Sequence, residues 1–137
     1  MDECIFCKLV SGKIPCSKIY ENEFVLAFLD INPIAKGHTL VISKKHFVNI
    51  FDADEKYLIE VILATKKIAE HYKNDKSLFC TGVNVMHASG IDAQQSVFHL
   101  HFHIIPRYKD DGHNTWPHTN YQKEDINVLA EKINLKS

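Results

Sequence analysis

Val97 to Ile105 reads VFHLHFHII, with His99, His101 and His103 at every second position and apolar residues in each gap. Val, Phe, Leu and Ile in such a run favour an extended strand, whose successive side chains point to opposite faces. The three imidazoles therefore share one face. Leu100, Phe102 and Ile104 form the other, apolar enough to pack on the body of the protein. At about 3.3 Å of rise per residue, His99 and His103 stand roughly 13 Å apart, and neighbours in the row about 6 to 7 Å apart. A metal held at about 2.0 to 2.1 Å from each nitrogen can engage two adjacent members of the row but not all three. Strict alternation of histidine, where a solvated face ordinarily draws on Lys, Glu or Thr, points to chemistry rather than to surface.

The rest of the chain limits what that chemistry is. Its 137 residues are the size of one domain. With 16 Lys and Arg against 17 Asp and Glu the formal charge is -1, so no broad electrostatic footprint for DNA or for an anionic membrane is present. A phosphate site must be local. The start, MDECIFCKLV, carries neither a basic leader nor a long apolar segment, and a cytoplasmic protein is the expectation. Cys4, Cys7, Cys16 and Cys80 are too few and too unevenly spaced for a disulfide framework, and reduced thiols are expected.

No repeat, low-complexity tract or linker divides the chain, so one domain over residues 1–137 is expected. Cys4 to Val10, closed by Ser11 and Gly12, reads as a short helix. Ile19 to Asp30 reads as two strands meeting at a turn around Glu21 to Glu23, and His38 to Ser43 as a third. Asp52 or Asp54 can cap a long helix that ends near Lys73. Its Leu58, Val61, Ile62, Ile68, Ala69 and Tyr72 recur at three- and four-residue steps. Ser77 to His87 gives a fourth strand, the loop Ala88 to Gln95 turns the chain, and the histidine strand is the fifth. Ile126, Leu129, Ala130 and Ile133 predict a terminal helix. The order is α+β with a largely antiparallel five-stranded sheet.

Three blocks, CIFCKLVSGKIP, AFLDINPIAKGHTLVISKKH and QSVFHLHFHIIPRY, stand together from about Cys4 to Tyr108. In order and spacing they resemble the histidine triad (HIT) family of nucleotide hydrolases and transferases, with residues 109–137 as a C-terminal segment beyond the motifs. The resemblance implies a HIT-like fold and a set of roles. His101 would be the nucleophile that attacks the α-phosphate of a nucleotide, an imidazole being suited to this because its neutral form holds a free lone pair near pH 7. His103 would steer or protonate the leaving group, with Asn84, Gln95 and Ser96 around the phosphate. His38 would support the triad, or equally serve as a hydrogen-bonded core residue. Asp30 would take the ribose hydroxyls, although Asp is also favoured as a turn residue before Asn32 and Pro33. Ile5, Phe6, Leu9, Phe28, Ile31 and Leu40 would line the base pocket of a purine, AMP-type nucleotide. One departure stands out. Gln94 occupies the place of a glycine usual in the family, where a side chain narrows the loop or shifts its amide.

Cys4 and Cys7 alone supply half a zinc site or a redox pair. The resemblance implies a structural Zn2+ completed by His46 and His99, with no cofactor needed for catalysis. His71, His87, His113 and His118 are expected on the surface or in loops with no role. The leading functional reading is hydrolysis of a nucleoside phosphoramidate or adenylated compound, releasing a nucleoside monophosphate. DGHNTWPHTNYQ, Asp111 to Gln122, has a Trp-Pro after a histidine and in this resembles the family's phosphoramidase branch. A dinucleoside polyphosphate hydrolase is the alternative within the class, and a zinc-stabilised nucleotide-binding scaffold with little turnover the alternative outside it. Leu58, Ile59, Val61, Ile62, Leu63 and Ile68 exceed a single core-facing stripe, and a homodimer through this helix is expected.

Overall fold

The computed structural model describes residues 3–136. The elements run α1 (Ile5–Val10), β1 (Lys18–Glu21), β2 (Val25–Leu29), β3 (Thr39–Ser43), α2 (Glu55–Asn74), β4 (Gly82–Met86), a 3-10 turn at Ile91–Ala93, β5 (His101–Arg107) and α3 (Ile126–Ile133). The five strands form one sheet in the order β1-β2-β3-β5-β4, with every neighbouring pair antiparallel. The α+β reading with a five-stranded sheet, one long helix and short terminal helices therefore holds.

The alternation of the strands divides the core in two. Val25, Ala27, Val41, Leu100, Phe102 and Ile104 point to one face and pack with Val61, Ala64, Ile68 and Tyr72 of α2. Leu26, Phe28, Leu40 and Ile42 point to the other, against Phe6 of α1. His101 and His103 share that second face, because they alternate with Phe102 and Ile104 along β5. A 20-residue helix thus closes one side, while only the six residues of α1 cover the other.

Two boundaries differ from expectation for local reasons. β4 starts at Gly82 and not at Ser77, because the Asp75 carboxylate accepts the Ser77 N–H at 2.7 Å and Phe79 takes a positive φ of 56°, both incompatible with extension. β5 begins only at His101. The β3 ladder ends with the pair Ile42 and His101; beyond it Leu100 O still accepts the Ser43 N–H at 3.4 Å, but Leu100 N–H turns to Phe47 O at 2.7 Å and the regular pairing stops. The cap of α2 is likewise indirect. Asp54 occupies the N-cap without a side-chain bond, its carboxylate turned to Lys45, while Asp52 binds the Val48 and Asn49 amides. Among the described residues no helix is long and apolar enough to cross a membrane.

Candidate active site

A cavity of about 400 Å³ opens where α1 fails to cover the sheet. Its lining is mostly apolar, with Phe6 and Leu9 of α1 and Phe28 and Leu40 of the strands, joined by Ile5 of α1 and by Ile31 on the loop after β2, both of them exposed. Asp30, Ser96, His101 and His103 supply polar groups to the same lining. Phe6 stands edge-on to His101, ring centroids 5.2 Å apart, which fixes one side of that imidazole. A slot of this kind, apolar with a few converging polar groups, suits a flat ring attached to a polar tail.

The protons of the two cavity histidines follow from their partners. His101 Nδ1–H donates to the carbonyl of His99 at 2.6 Å, which leaves Nε2 as a bare lone pair. His103 is set the opposite way. His38 Nδ1 accepts the Ile34 N–H at 3.2 Å, so the His38 proton sits on Nε2 and is donated to His103 Nδ1 at 2.9 Å. The proton of His103 is thereby placed on Nε2. Side by side, one ring offers an electron pair and the other an N–H. Burial pushes the basicity of His101 and His38 below the ordinary imidazole value and lowers that of His103 to about 4, so all three are neutral near pH 7. Asp30 Oδ2 lies 3.5 Å from His38 Nε2, while Oδ1 accepts the Asn32 N–H at 2.9 Å. Asp30, His38 and His103 converge closely enough to suggest a metal. The donors argue against it: His38 has an N–H facing Nδ1, and a metal on Nε2 would require both ring nitrogens to be lone pairs.

His99 leaves the row. Fully buried, it donates Nε2–H to Ser43 O at 2.7 Å and turns Nδ1 toward Cys4 and Cys7. Cys4 Sγ lies 3.3 Å and Cys7 Sγ 3.6 Å from that nitrogen, His46 Nδ1 lies 3.1 Å from it, and Cys7 Sγ lies 3.4 Å from His46 Nδ1. The four donor atoms fall within 4.8 Å of one another. Ligand separations of about 3.3 to 3.8 Å are those of a tetrahedron with metal–nitrogen and metal–sulfur bonds of about 2.0 and 2.3 Å. The cluster could hold a metal ion. The bond from His99 to a backbone carbonyl is the usual support of a ligating imidazole. Burial raises the Cys7 thiol to about 11, so a cation is what would draw out the thiolate.

Residues 11–110 match the family profile of the HIT domain. The chain belongs to the HIT family. A Schizosaccharomyces pombe protein named adenosine 5'-monophosphoramidase is 38% identical over 97% of this chain and 97% of its own. A solved HIT-family structure from Bacillus subtilis is 41% identical, covers 98% of this chain and 99% of that one, and superposes with a TM-score of 0.84. A Zn-bound histidine triad protein from Mycobacterium smegmatis is 37% identical, covers 83% of this chain and 81% of that one, and superposes with a TM-score of 0.80.

In this HIT-family protein the expected site residues separate into four sets. Ile5, Phe6, Leu9, Phe28, Asp30, Ile31, Leu40, Ser96, His101 and His103 all line the cavity. His38 stands behind His103, and Cys4, Cys7, His46 and His99 form the cluster that could hold a metal. Gln95 and Asn84 stand outside the lining. Gln95 is buried and ties the loop together, donating to Val48 O and Val97 O and accepting from Gly90 N–H and Asn49 Nδ2. The Asn84 oxygen accepts from Arg107 at 2.8 Å, on the side of the Asp111 ion pair. The cavity also includes Ile14, Pro15, Ser17, Leu29 and Val97, with Cys16, expected only as a lone reduced thiol, and Asn32, expected only as a turn residue; of these seven all but Cys16 and Ser17 fall inside the three sequence blocks that carry the family resemblance. His87, expected to have no role, is half-buried and bonded to the carbonyl of His101 at 2.8 Å. Gln94 adopts the left-handed conformation a glycine would take, φ 67° and ψ 29°, with its side chain exposed, so the loop keeps its course at the cost of strain.

Proposed function

We propose that this HIT-family hydrolase attacks the α-phosphate of a nucleoside phosphoramidate or a similar adenylated compound through His101 and releases a nucleoside monophosphate. The observation that carries the reading is the opposed pair of tautomers, a lone pair on His101 Nε2 beside an N–H on His103 Nε2. The purine lies in the apolar slot and Asp30 accepts from the ribose hydroxyls. His101 Nε2 forms a bond to phosphorus as the bond to the leaving group breaks; the His103 N–H hydrogen-bonds and steers the leaving atom, which departs with a proton from solvent that the later attack of water returns. Ser96 offers a hydroxyl to the phosphate oxygens. Water then displaces His101 and frees the monophosphate. Among the described lining residues Asp30 is the sole charged side chain and no Lys or Arg is present. A dinucleoside polyphosphate, with several phosphates to neutralise, is the poorer fit.

Cys4, Cys7, His46 and His99 would hold one structural Zn2+, binding α1 to the approach of β5. Residues 4–108 act as the catalytic core within a single domain and 109–137 as an appended segment. Two copies pair through Ile59, Ile62 and Leu63, exposed on α2, and through the edge strand β4 with Val85 and Met86. Four free cysteines suit a reducing compartment, and the cytoplasm is the proposed location.

The test is single turnover with an adenosine phosphoramidate labelled at phosphorus, quenched early. Label on His101 is expected, followed by labelled AMP. A protein that binds AMP but never carries label on histidine would be the nucleotide-binding scaffold instead. Faster turnover of a dinucleoside polyphosphate would favour the other hydrolase. Sedimentation showing an active monomer near 15.7 kDa would remove the dimer.

A further inference from the structure

We propose that His87 is a positioning residue for the nucleophile, and that it acts by holding the backbone of His101 from outside the cavity. The inference rests on the assignment of His101 above. β4 ends at Met86, which pairs with His103, so the ladder stops before His101. The His101 carbonyl points to the β4 side and would be left without a strand partner. The side chain of His87, the first residue after β4, supplies the missing donor: its Nδ1 lies 2.8 Å from that oxygen. A carbonyl only accepts, so the proton is on Nδ1. The ring also stacks on Phe102, centroids 4.4 Å apart and planes 28° from parallel.

The other nitrogen anchors the ring to the loop. His87 Nε2 lies 2.5 Å from Ser89 Oγ, and that oxygen already accepts the Ile50 N–H at 3.0 Å. The Ser89 hydroxyl proton therefore points to His87. A continuous chain results: Ile50 N–H to Ser89, Ser89 O–H to His87 Nε2, His87 Nδ1–H to the carbonyl of His101. Two residues further back, the carbonyl of His99 holds the ring of His101. The nucleophile is thus fixed at both its ring and its own peptide, and the second hold comes from the loop that carries Ser96. Neither His87 nor Ser89 lines the cavity, so the effect falls on orientation and not on contact with substrate.

Three substitutions separate positioning from mere structure. His87→Phe keeps an aromatic ring on Phe102 and removes both hydrogen bonds; His87→Asn returns an amide N–H near the place of Nδ1. With a nucleoside phosphoramidate, His87→Phe should lower kcat by about tenfold or more and leave KM within about twofold, and His87→Asn should recover most of the loss. An unchanged kcat in His87→Phe, or a loss that His87→Asn does not recover, overturns the proposal. If His87→Phe does not fold, Ser89→Ala takes its place, with a fall in kcat at constant KM expected and no change overturning the idea. A second readout is independent of turnover. In protein labelled with 15N-histidine, the His101 Nδ1 proton should exchange with water about tenfold faster in His87→Phe than in the native chain. Equal exchange would sink the proposal, whereas a native protein inert to every phosphoramidate would sink only the functional reading.

Discussion

The two faces of the sheet are made by alternate residues of the same strands and have opposite characters. On the α2 face, Val25, Val41, Leu100 and Ile104 have no exposure to solvent and meet a five-turn helix along its length. On the α1 face, a helix of six residues reaches only part of the way, and the uncovered remainder is the cavity that His101 and His103 line. Stability and chemistry are therefore separated by one residue of register. The closed face fixes the strand, and the strand carries the imidazoles to the open face with little freedom to move.

His101→Ala tests the open face most severely. Turnover should vanish, while AMP binding, measured by calorimetry, should weaken by no more than about tenfold, or about 1.4 kcal/mol. A variant with a tenth of native activity would show that the nucleophile lies elsewhere. Joint replacement of Cys4 and Cys7 by Ser tests how that face is held. Metal content, read by elemental analysis, should fall from about one zinc per chain to near zero, and the melting temperature should fall with it, because binding energy at a structural site is folding energy. Native protein purified without chelators and free of zinc would break this expectation.

Two truncations sharpen the contrast between faces. Ile104→Ala, on the closed side, should cost about 2 to 5 kcal/mol in denaturant unfolding. Ile5→Ala, on a cavity wall where the side chain is half exposed, should cost far less and instead weaken AMP binding. Equal losses of stability would mean that the open face is packed as tightly as the closed one. Gln94→Gly is the smallest change. Relief of the left-handed conformation should stabilise the fold by about 1 kcal/mol in the same unfolding assay. Destabilisation would show that the glutamine side chain makes a contact that outweighs its strain.

Most of the architecture was legible because strand and helix periods are local. FVLAFLD, HTLVIS and VFHLHFHII each announce which residues share a face, and the step of three and four in α2 announces Val61, Ile68 and Tyr72 of its buried stripe, whereas Ile62 proves exposed and Ala64 and Thr65 take its place. The boundaries that escaped, at β4 and β5, depend on a turn held by Asp75 and on where a neighbouring strand happens to stop. The cavity-lining residues were read through resemblance to the family, since singly each looks like ordinary core.

By itself, then, the sequence determined the alternation that puts His101 and His103 opposite a hydrophobic face, and it displayed the Cys and His residues able to bind a metal. The tertiary structure alone decided how each side chain spends its hydrogen bonds. His99 turns toward Cys4, a residue 95 positions away. Gln95 is drawn inward to brace the loop, Asn84 is taken by Arg107, and His87 fills the place of an absent ladder partner. Side-chain period follows from the backbone conformation of the residue and its neighbours. A proton's place on an imidazole follows from whichever donor or acceptor the fold sets against it, and those groups come from β3, from the 46–50 loop and from the helix at the other end of the chain.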